Sequence, residues 1–504
     1  MATRYISQSG GVFSGGSACN GHTAISVATF NGLTPAAGDI NWFCGTITSS
    51  ITIGGSGSSG NVIIFNWDTG SRISVTFGGI INVGSQGFLL FDGGTPCGPG
   101  TSCYANESAS PTGYPSNITG IMEATANGSS LANQNTSTQA FFGCSGCHDI
   151  EIRNLIIRNL YIHNLASDST ANADSGSFVF QCSSGQTACT GNLQVHDNDI
   201  HDTGNAISLE HFSAATIKIY NNEMWHNNWA IENSGNGTRT LFVYNNHWHD
   251  ATNWDTSLDT YHHNGIHNFM NTSSDSLGLY VYNNKADGDW GSCCTTSNFL
   301  FTETAPPANF FVFNNVVIQS CNSNTEPANF AHTVNAGAGP AFYNNTFLGC
   351  GTTSSNVTAV ELFGTTVTFE NNAIEKYGQY VVTGSSATFS TLDYNTYGAI
   401  GLSGNSPWQF GATGDATFAN WQSTSGGDSH GQKVSSLNVN ASGAPNAGSP
   451  LLGVGNNLTS LCTGNLTPLC SDINGIGRPS SGAWAVGAFN GASTFSTVCC
   501  AIYP

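Results

Sequence analysis

Between Leu193 and Gly288 the chain writes one short pattern four times: LQVHDNDIHD from Leu193, IKIYNNEMWH from Ile217, LFVYNNHWHD from Leu241 and LYVYNNKADG from Leu279. The pattern returns as FFVFNNVVIQ at Phe310, PAFYNNTFLG at Pro340 and VTFENNAIEK at Val367, with a weaker copy, IIRNLYIHNL, from Ile156. The first three copies start at 193, 217 and 241, a period of 24 residues. Self-similarity at this period is the mark of a solenoid. Within a copy the apolar residues alternate, so the unit is a strand rather than a helix turn. One such strand cannot bury its apolar face alone, whereas stacked copies bury a continuous core. Stacking also aligns the second Asn of each copy in one column: Asn198, Asn222, Asn246, Asn284, Asn315, Asn345 and Asn372. Asn accepts turn conformations, and stacked amides can bond from rung to rung.

Because rungs lie about 4.8 Å apart and side chains alternate, the alignment predicts neighbours. Two residues past the ladder Asn runs an inward column that includes Ile200, Met224, Trp248, Ala286, Val317, Phe347 and Ile374. The flanking positions are expected to face outward: Asp199, Glu223, His247 and Lys285 on one side, His201, Trp225, His249 and Asp287 on the other. A second strand aligns as NAISLE, WAIENS, NGIHNF, NFLFTE, FAHTVN and AVELFG. With Ile207, Ile231, Ile266, Leu300, Ala331 and Val360 inward, the next column reads Ser208, Glu232, His267, Phe301, His332 and Glu361. Ala206, Ala230 and Gly265 are then expected to form a floor without bulk, ended by Phe299.

These strands and the closing run SPLLGVGNNL, followed by DINGIGRPSSGAWAVGAFN, resemble the pectate-lyase-like superfamily. The resemblance implies an all-β, single-stranded right-handed parallel β-helix of one domain. On that reading residues 1–37 cap the first coil and 38–404 form the helix, with insertions at 95–140, 166–191 and 249–263. Residues 405–504 supply the closing coil and a disulfide-tied tail. The fold hosts lyases, hydrolases, epimerases, adhesins and tail spikes, so function must come from a site. The Arg motif of the lyases, the paired Asp and Gly-His-Gly of the polygalacturonases and the Asp-Pro-His-Glu of the alginate epimerases are absent from this sequence. No catalytic residue is therefore carried over.

Composition narrows the partners. Net charge is −20 with only 10 Lys plus Arg, so no basic patch can neutralise nucleic-acid phosphates. A polyuronate would be repelled unless cations intervene, and neutral glycans fit better. Sixteen Cys, many closely spaced, favour disulfides and an oxidising compartment. No apolar run is long enough to span a membrane. No leader follows Met1, and the expectation is a mature secreted chain whose leader has been removed.

The densest chemistry is HDATNWDTSLDTYHHNGIH, residues His249–His267. Glu232 and His267 are expected to be rung neighbours and form an acid/base pair, assisted by His263, Asp255 and Asp259. Asn228, Trp225, Trp254, Trp290 and His262 are the expected substrate contacts, the indoles stacking on sugar faces. No cofactor is required by this chemistry. Ca²⁺ on the Asp cluster is a possible auxiliary, and the identity of any metal is open. The expected function is a secreted enzyme, glycoside hydrolase or polysaccharide lyase, acting on an extracellular polysaccharide. The rival is a non-enzymatic filament, sheath or adhesin subunit that self-associates through solenoid ends.

Overall fold

A computed structural model describes residues 1–109, 120–125, 138–160, 178–182, 185–251, 263–270, 276–290, 295–304, 307–319, 328–332, 338–351, 358–401 and 406–492. The chain divides into two compact units, Met1–Phe242 and Val243–Pro504.

In the first unit, Thr3–Ser7, Ile40–Phe43, Ile63–Trp67, Gly87–Asp92, His148–Arg153 and Cys189–His196 stack as successive parallel strands. Alternation sends Ile63, Phe65 and Trp67 inward, and Phe65 stacks on Phe43 below and Phe91 above. Within the expected 95–140 insertion, Gly120–Ala124 and Thr138–Phe142 are coil strands. They pair in parallel with Arg72–Val75 and Gly78–Asn82. Their short apolar runs, GIMEA and TQAFF, are hidden between Ser/Asn/Thr-rich stretches. At the N-terminus the short helix Val27–Phe30, capped by Ser26, buries Val27 and sets Phe30 edge-on to Phe65.

The second unit carries three parallel stacks. One comprises Ser276–Tyr282, Phe310–Phe313, Ala338–Tyr343, Thr366–Glu370 and Thr388–Asp393. Another runs from His247–His249 through Lys285–Asp287, Val316–Ile318, Thr346–Leu348 and Ala373–Glu375 to Thr396–Tyr397. A third comprises His263–Met270, Thr295–Thr304, Ala328–His332, Thr358–Leu362, Gln379–Thr383 and Trp408–Phe410. Each unit is thus built as a parallel β-helix.

The Asn column is a hydrogen-bond ladder. In the second unit the side-chain amides run Asn246 to Asn284, Asn315, Asn345, Asn372 and Asn395, each Nδ2 donating to the next Oδ1 at 2.9–3.1 Å. The first unit shows the same bond from Asn198 to Asn222 at 2.9 Å. The preceding Asn of each pair makes the corner: Asn221, Asn283, Asn314, Asn344 and Asn371 have φ between 53° and 60°, the left-handed region Asn tolerates. The ladder extends past the expected column to Asn395 and ends on buried Asp428, whose Oδ1 accepts from Asn395 Nδ2 at 2.9 Å. Trp421 Nε1 and the Tyr397 hydroxyl donate to its Oδ2.

The C-terminal segment straps the same corners. Asn314 Nδ2 donates to the Ser471 carbonyl, Asn344 Nδ2 to that of Ala485 and Asn371 Nδ2 to that of Asn456. Leu437, Leu451 and Val486 pack on Leu348 and Ala373 beneath them. Disulfides join Cys19–Cys44, Cys97–Cys103, Cys144–Cys147, Cys182–Cys189 and Cys462–Cys470. Among the described residues no helix is long and apolar enough to cross a membrane.

Candidate active site

Sequence stacking places Ser208 beside Glu232, and the register agrees. Glu232 is 7% exposed. Its Oε2 accepts from Asn205 Nδ2 at 2.9 Å and Ser208 Oγ at 2.8 Å, and its Oε1 from Ser234 Oγ at 2.8 Å. Three neutral donors converge on one carboxylate, the arrangement that satisfies a buried acid without a countercharge. Asn228 is fully buried, and Trp225 is 6% exposed. The Trp225 indole stacks on His201 at 4.1 Å and donates to Asp199 Oδ1 at 2.8 Å. Asp199, Glu223 and His201, expected outward, are all buried. His201 Nδ1 lies 2.7 Å from Asp202 Oδ2 and His226 Nδ1 3.4 Å from Asp202 Oδ1. These imidazoles hold the Asp202 carboxyl far below the ordinary carboxylate range, against the opposing effect of burial.

His267 lies in the second unit. Its Nε2 is 3.1 Å from Glu303 Oε1, and its ring rests against Phe301 at 5.0 Å and Phe269 at 4.5 Å. His263 is fully buried, with Nδ1 3.3 Å from the Trp290 carbonyl. Trp290 is 3% exposed and donates Nε1 to the Asp287 carbonyl. Asp255, Asp259, Trp254 and His262 lie outside the described residues, as does the Ca²⁺ option built on the Asp pair. Glu232 and His267 fall in different units, each with partners of its own.

Two details of the alignment are corrected by bulges. Register shifts between Asn264 and Ile266, and between Ser297 and Leu300, turn consecutive residues to the same side. Phe299 consequently points into the core, stacked on Trp248 at 5.6 Å. Gly265 belongs to that packing as well: a Cβ there would stand 2.4 Å from Trp248 Nε1. Neither residue forms an outward floor. One rung on, Phe330 rather than Ala331 takes the Leu300 position, so the outward column reads His267, Phe301, Ala331 and Glu361.

That corrected column has chemically distinct ends. At one end is the His267–Glu303 pair, its carboxylate side chain 38% exposed. At the other is Glu361, partly exposed, whose carboxyl burial pushes up to about 7, against a hydrogen bond from Thr358 that pulls it down. Phe301 and Ala331 lie between them. Phe301 and Glu361 sit two rungs apart, about 10 Å at the usual spacing. Glu303 was missed in the sequence because it lies two residues beyond the aligned column. Glu361 stood in that column but nothing in its spacing revealed its desolvation.

A second His/Asp cluster lies on the Lys285 side of the same unit. His247 Nε2 is 2.6 Å from Asp287 Oδ1, Lys285 pairs with the same carboxylate, and the His247 and His249 rings stack at 4.5 Å. His249 Nδ1 is 2.6 Å from Asp250 Oδ2. Each imidazole here meets a carboxylate on one nitrogen, which fixes its ring orientation.

No family model matches the chain, and a search of the curated proteins finds no match. Among solved structures the chain is similar to the GH136 lacto-N-biosidase from Eubacterium ramulus. The identity is 9% and the TM-score 0.40, over 82% of this chain and 67% of that one.

Proposed function

We propose that the chain is a secreted, glycan-cleaving enzyme of the pectate-lyase-like type that works on the outward column of its second unit. The observation that carries the reading is a carboxyl group raised by burial, Glu361, on the same face as the His267–Glu303 pair. Glu361 retains its proton up to about pH 7 and serves as general acid toward a glycosidic oxygen. Glu303, paired with His267, serves as the base that activates water or takes a proton from the sugar ring. Phe301 offers an aromatic surface, and Ala331 leaves room on the rung beside it. The expected acid/base pairing of Glu232 with His267 stands as an alternative proposal to that assignment, Glu232 being held by Asn205, Ser208 and Ser234. A net charge of −20 favours a neutral or weakly charged glycan.

The test is release of reducing ends, with absorbance at 235 nm, on a panel of neutral and acidic polysaccharides with and without Ca²⁺. New reducing ends alone identify a hydrolase, and an absorbance rise identifies β-elimination. On the substrate so found, Glu361→Gln lowers kcat by about two or more orders of magnitude and removes the basic limb of the pH profile. Full turnover by Glu361→Gln would sink the assignment. Full turnover by a Glu232→Ala, His267→Ala double variant would remove those two residues from it. No turnover on any glycan by the intact chain, with filaments visible by negative-stain microscopy, would favour the structural rival.

A further inference from the structure

The first unit holds two disulfides against each other. Cys144–Cys147 closes a turn with a sequence separation of 3, and Cys182–Cys189 closes one with a separation of 7. All four cysteines are buried. Cys147 Sγ stands 3.1 Å from Cys189 Sγ, and the sulfurs of Cys144, Cys147 and Cys189 lie within 4.8 Å of one another. Backbone pairing enforces the contact. His148 pairs with Thr190 across parallel strands, so the residues just before them, Cys147 and Cys189, face each other on adjacent rungs. Thr190 N donates to the Cys147 carbonyl at 3.1 Å, and Gly146 N to the Thr187 carbonyl at 2.8 Å. Adjacent rungs put Cα atoms about 4.8 Å apart, inside the range a disulfide spans.

We propose that these four cysteines form one thiol–disulfide exchange site, in which loss of a single bridge converts two local loops into a Cys147–Cys189 staple between successive coils. The reductant is a small dithiol. It reduces Cys144–Cys147, is oxidised to its own disulfide, and delivers two electrons and two protons. The Cys147 thiolate then attacks Cys189 Sγ. A Cys147–Cys189 bond forms, the Cys182–Cys189 bond breaks, and Cys182 leaves as a thiolate that takes up a proton. Cys144 and Cys182 end as thiols. In the folded unit the 3.1 Å approach of Cys147 Sγ to Cys189 Sγ favours the exchange, and once made, a bridge with a sequence separation of 42 restrains the unfolded chain more than one of 3 or 7. The consequence is a unit that keeps a bond between its coils under mild reduction, when local loops would be the first to open.

The test is limiting dithiothreitol on the native full chain, rapid alkylation, and peptide mapping by mass spectrometry. The expected one-bridge species carries label on Cys144 and Cys182 and retains a Cys147–Cys189 linked peptide. Retention of Cys182–Cys189, with label on Cys144 and Cys147, would overturn the proposal, as would the converse pattern. A C144S variant gives a second reading that needs no reductant to enter the fold. The purified oxidised variant is expected to contain Cys147–Cys189 with Cys182 alkylatable. Cys182–Cys189 with a free Cys147 would refute it, and either measurement decides alone.

Discussion

Asn315 is the residue at which the ladder can be weighed. It is fully buried. Its Oδ1 accepts from both the backbone N and the Nδ2 of Asn284 at 3.0 Å, and its Nδ2 donates to the Val281 carbonyl and to Asn345 Oδ1 at 2.9 Å. Asn315→Ala removes all four bonds at once. The two Asn284 donors then lie in a dry interior, and each buried group left unmade costs about 1–3 kcal/mol. With a small cavity added, the expected loss is about 3–6 kcal/mol, a large part of the about 5–15 kcal/mol that holds an ordinary domain. Asn315→Asp separates bonding from packing. It keeps the volume and the acceptor but turns an oxygen toward the Val281 carbonyl and Asn345 Oδ1, so it is expected to destabilise by a similar amount. The assay is urea unfolding followed by tryptophan fluorescence, with exposed Thr391→Ala as control. A loss below about 1 kcal/mol for Ala, or an Asp variant as stable as the parent, would show that the ladder is packing and not hydrogen bonding.

The other expectations concern charge. Glu361 binds its proton up to about pH 7 in the folded chain against 4.5 for the free side chain, so the native state holds more protons in that interval. Its stabilising contribution is complete below about 4.5 and is lost as pH rises to about 7. The change is on the order of 2 kcal/mol after allowance for partial exposure, and Glu361→Gln is expected to flatten that slope in thermal melts. His196 sits between Glu151 at 3.2 Å and Asp197 at 2.6 Å with Tyr220 stacked on its ring. Burial works against the charged form, but the two carboxylates prevail and raise its pKa above 6.5. Its contribution is therefore present below 6.5 and lost as pH climbs through the raised value. An NMR titration that finds this imidazole at or below 6.5 would contradict the pairing. Asp428→Asn keeps an oxygen to accept from Asn395 but turns an NH₂ toward the Trp421 indole N–H and the Tyr397 hydroxyl, where two donors now meet a carboxylate oxygen. It is expected to lower the urea midpoint by the equivalent of about 1–3 kcal/mol, and an unchanged midpoint would mean that Tyr397 and Trp421 do not need the second carboxylate oxygen.

The stacked strands and the Asn column were legible because both follow from a repeated local pattern. Alternating apolar residues decide which side is buried, and a recurring NN pair decides where the chain turns. The corner Asn is forced into the left-handed region by the turn and its successor into the interior, so the pair is one signal with two causes. The strand content inside 95–140 was not legible, because GIMEA and TQAFF are too short to stand out from their Ser/Asn/Thr surroundings. The Asp428 terminus was not legible either. It lies outside any copy of the repeat, and only the three-dimensional return of the chain after the Phe418–Ser425 helix brings it beneath Asn395.

The candidate site failed to read directly for a different reason. A register argument assumes that every strand alternates without interruption, and one extra residue exchanges inside for outside. Two bulges in the stack His263–Met270, Thr295–Thr304, Ala328–His332 did this. They buried Phe299 against Trp248 and set Ala331 opposite Phe301 in the column of His267, and the unshifted next rung continues that column to Glu361. Bulges are enriched where a sheet re-aims a side chain. Here they leave Ala331 as the small residue between an aromatic and a carboxyl group. Substituting Ala331 by a larger side chain, Ala331→Phe, is expected to abolish turnover while leaving the ladder and the fold intact. Full activity in that variant, with its circular dichroism unchanged, would place the reaction elsewhere on the molecule.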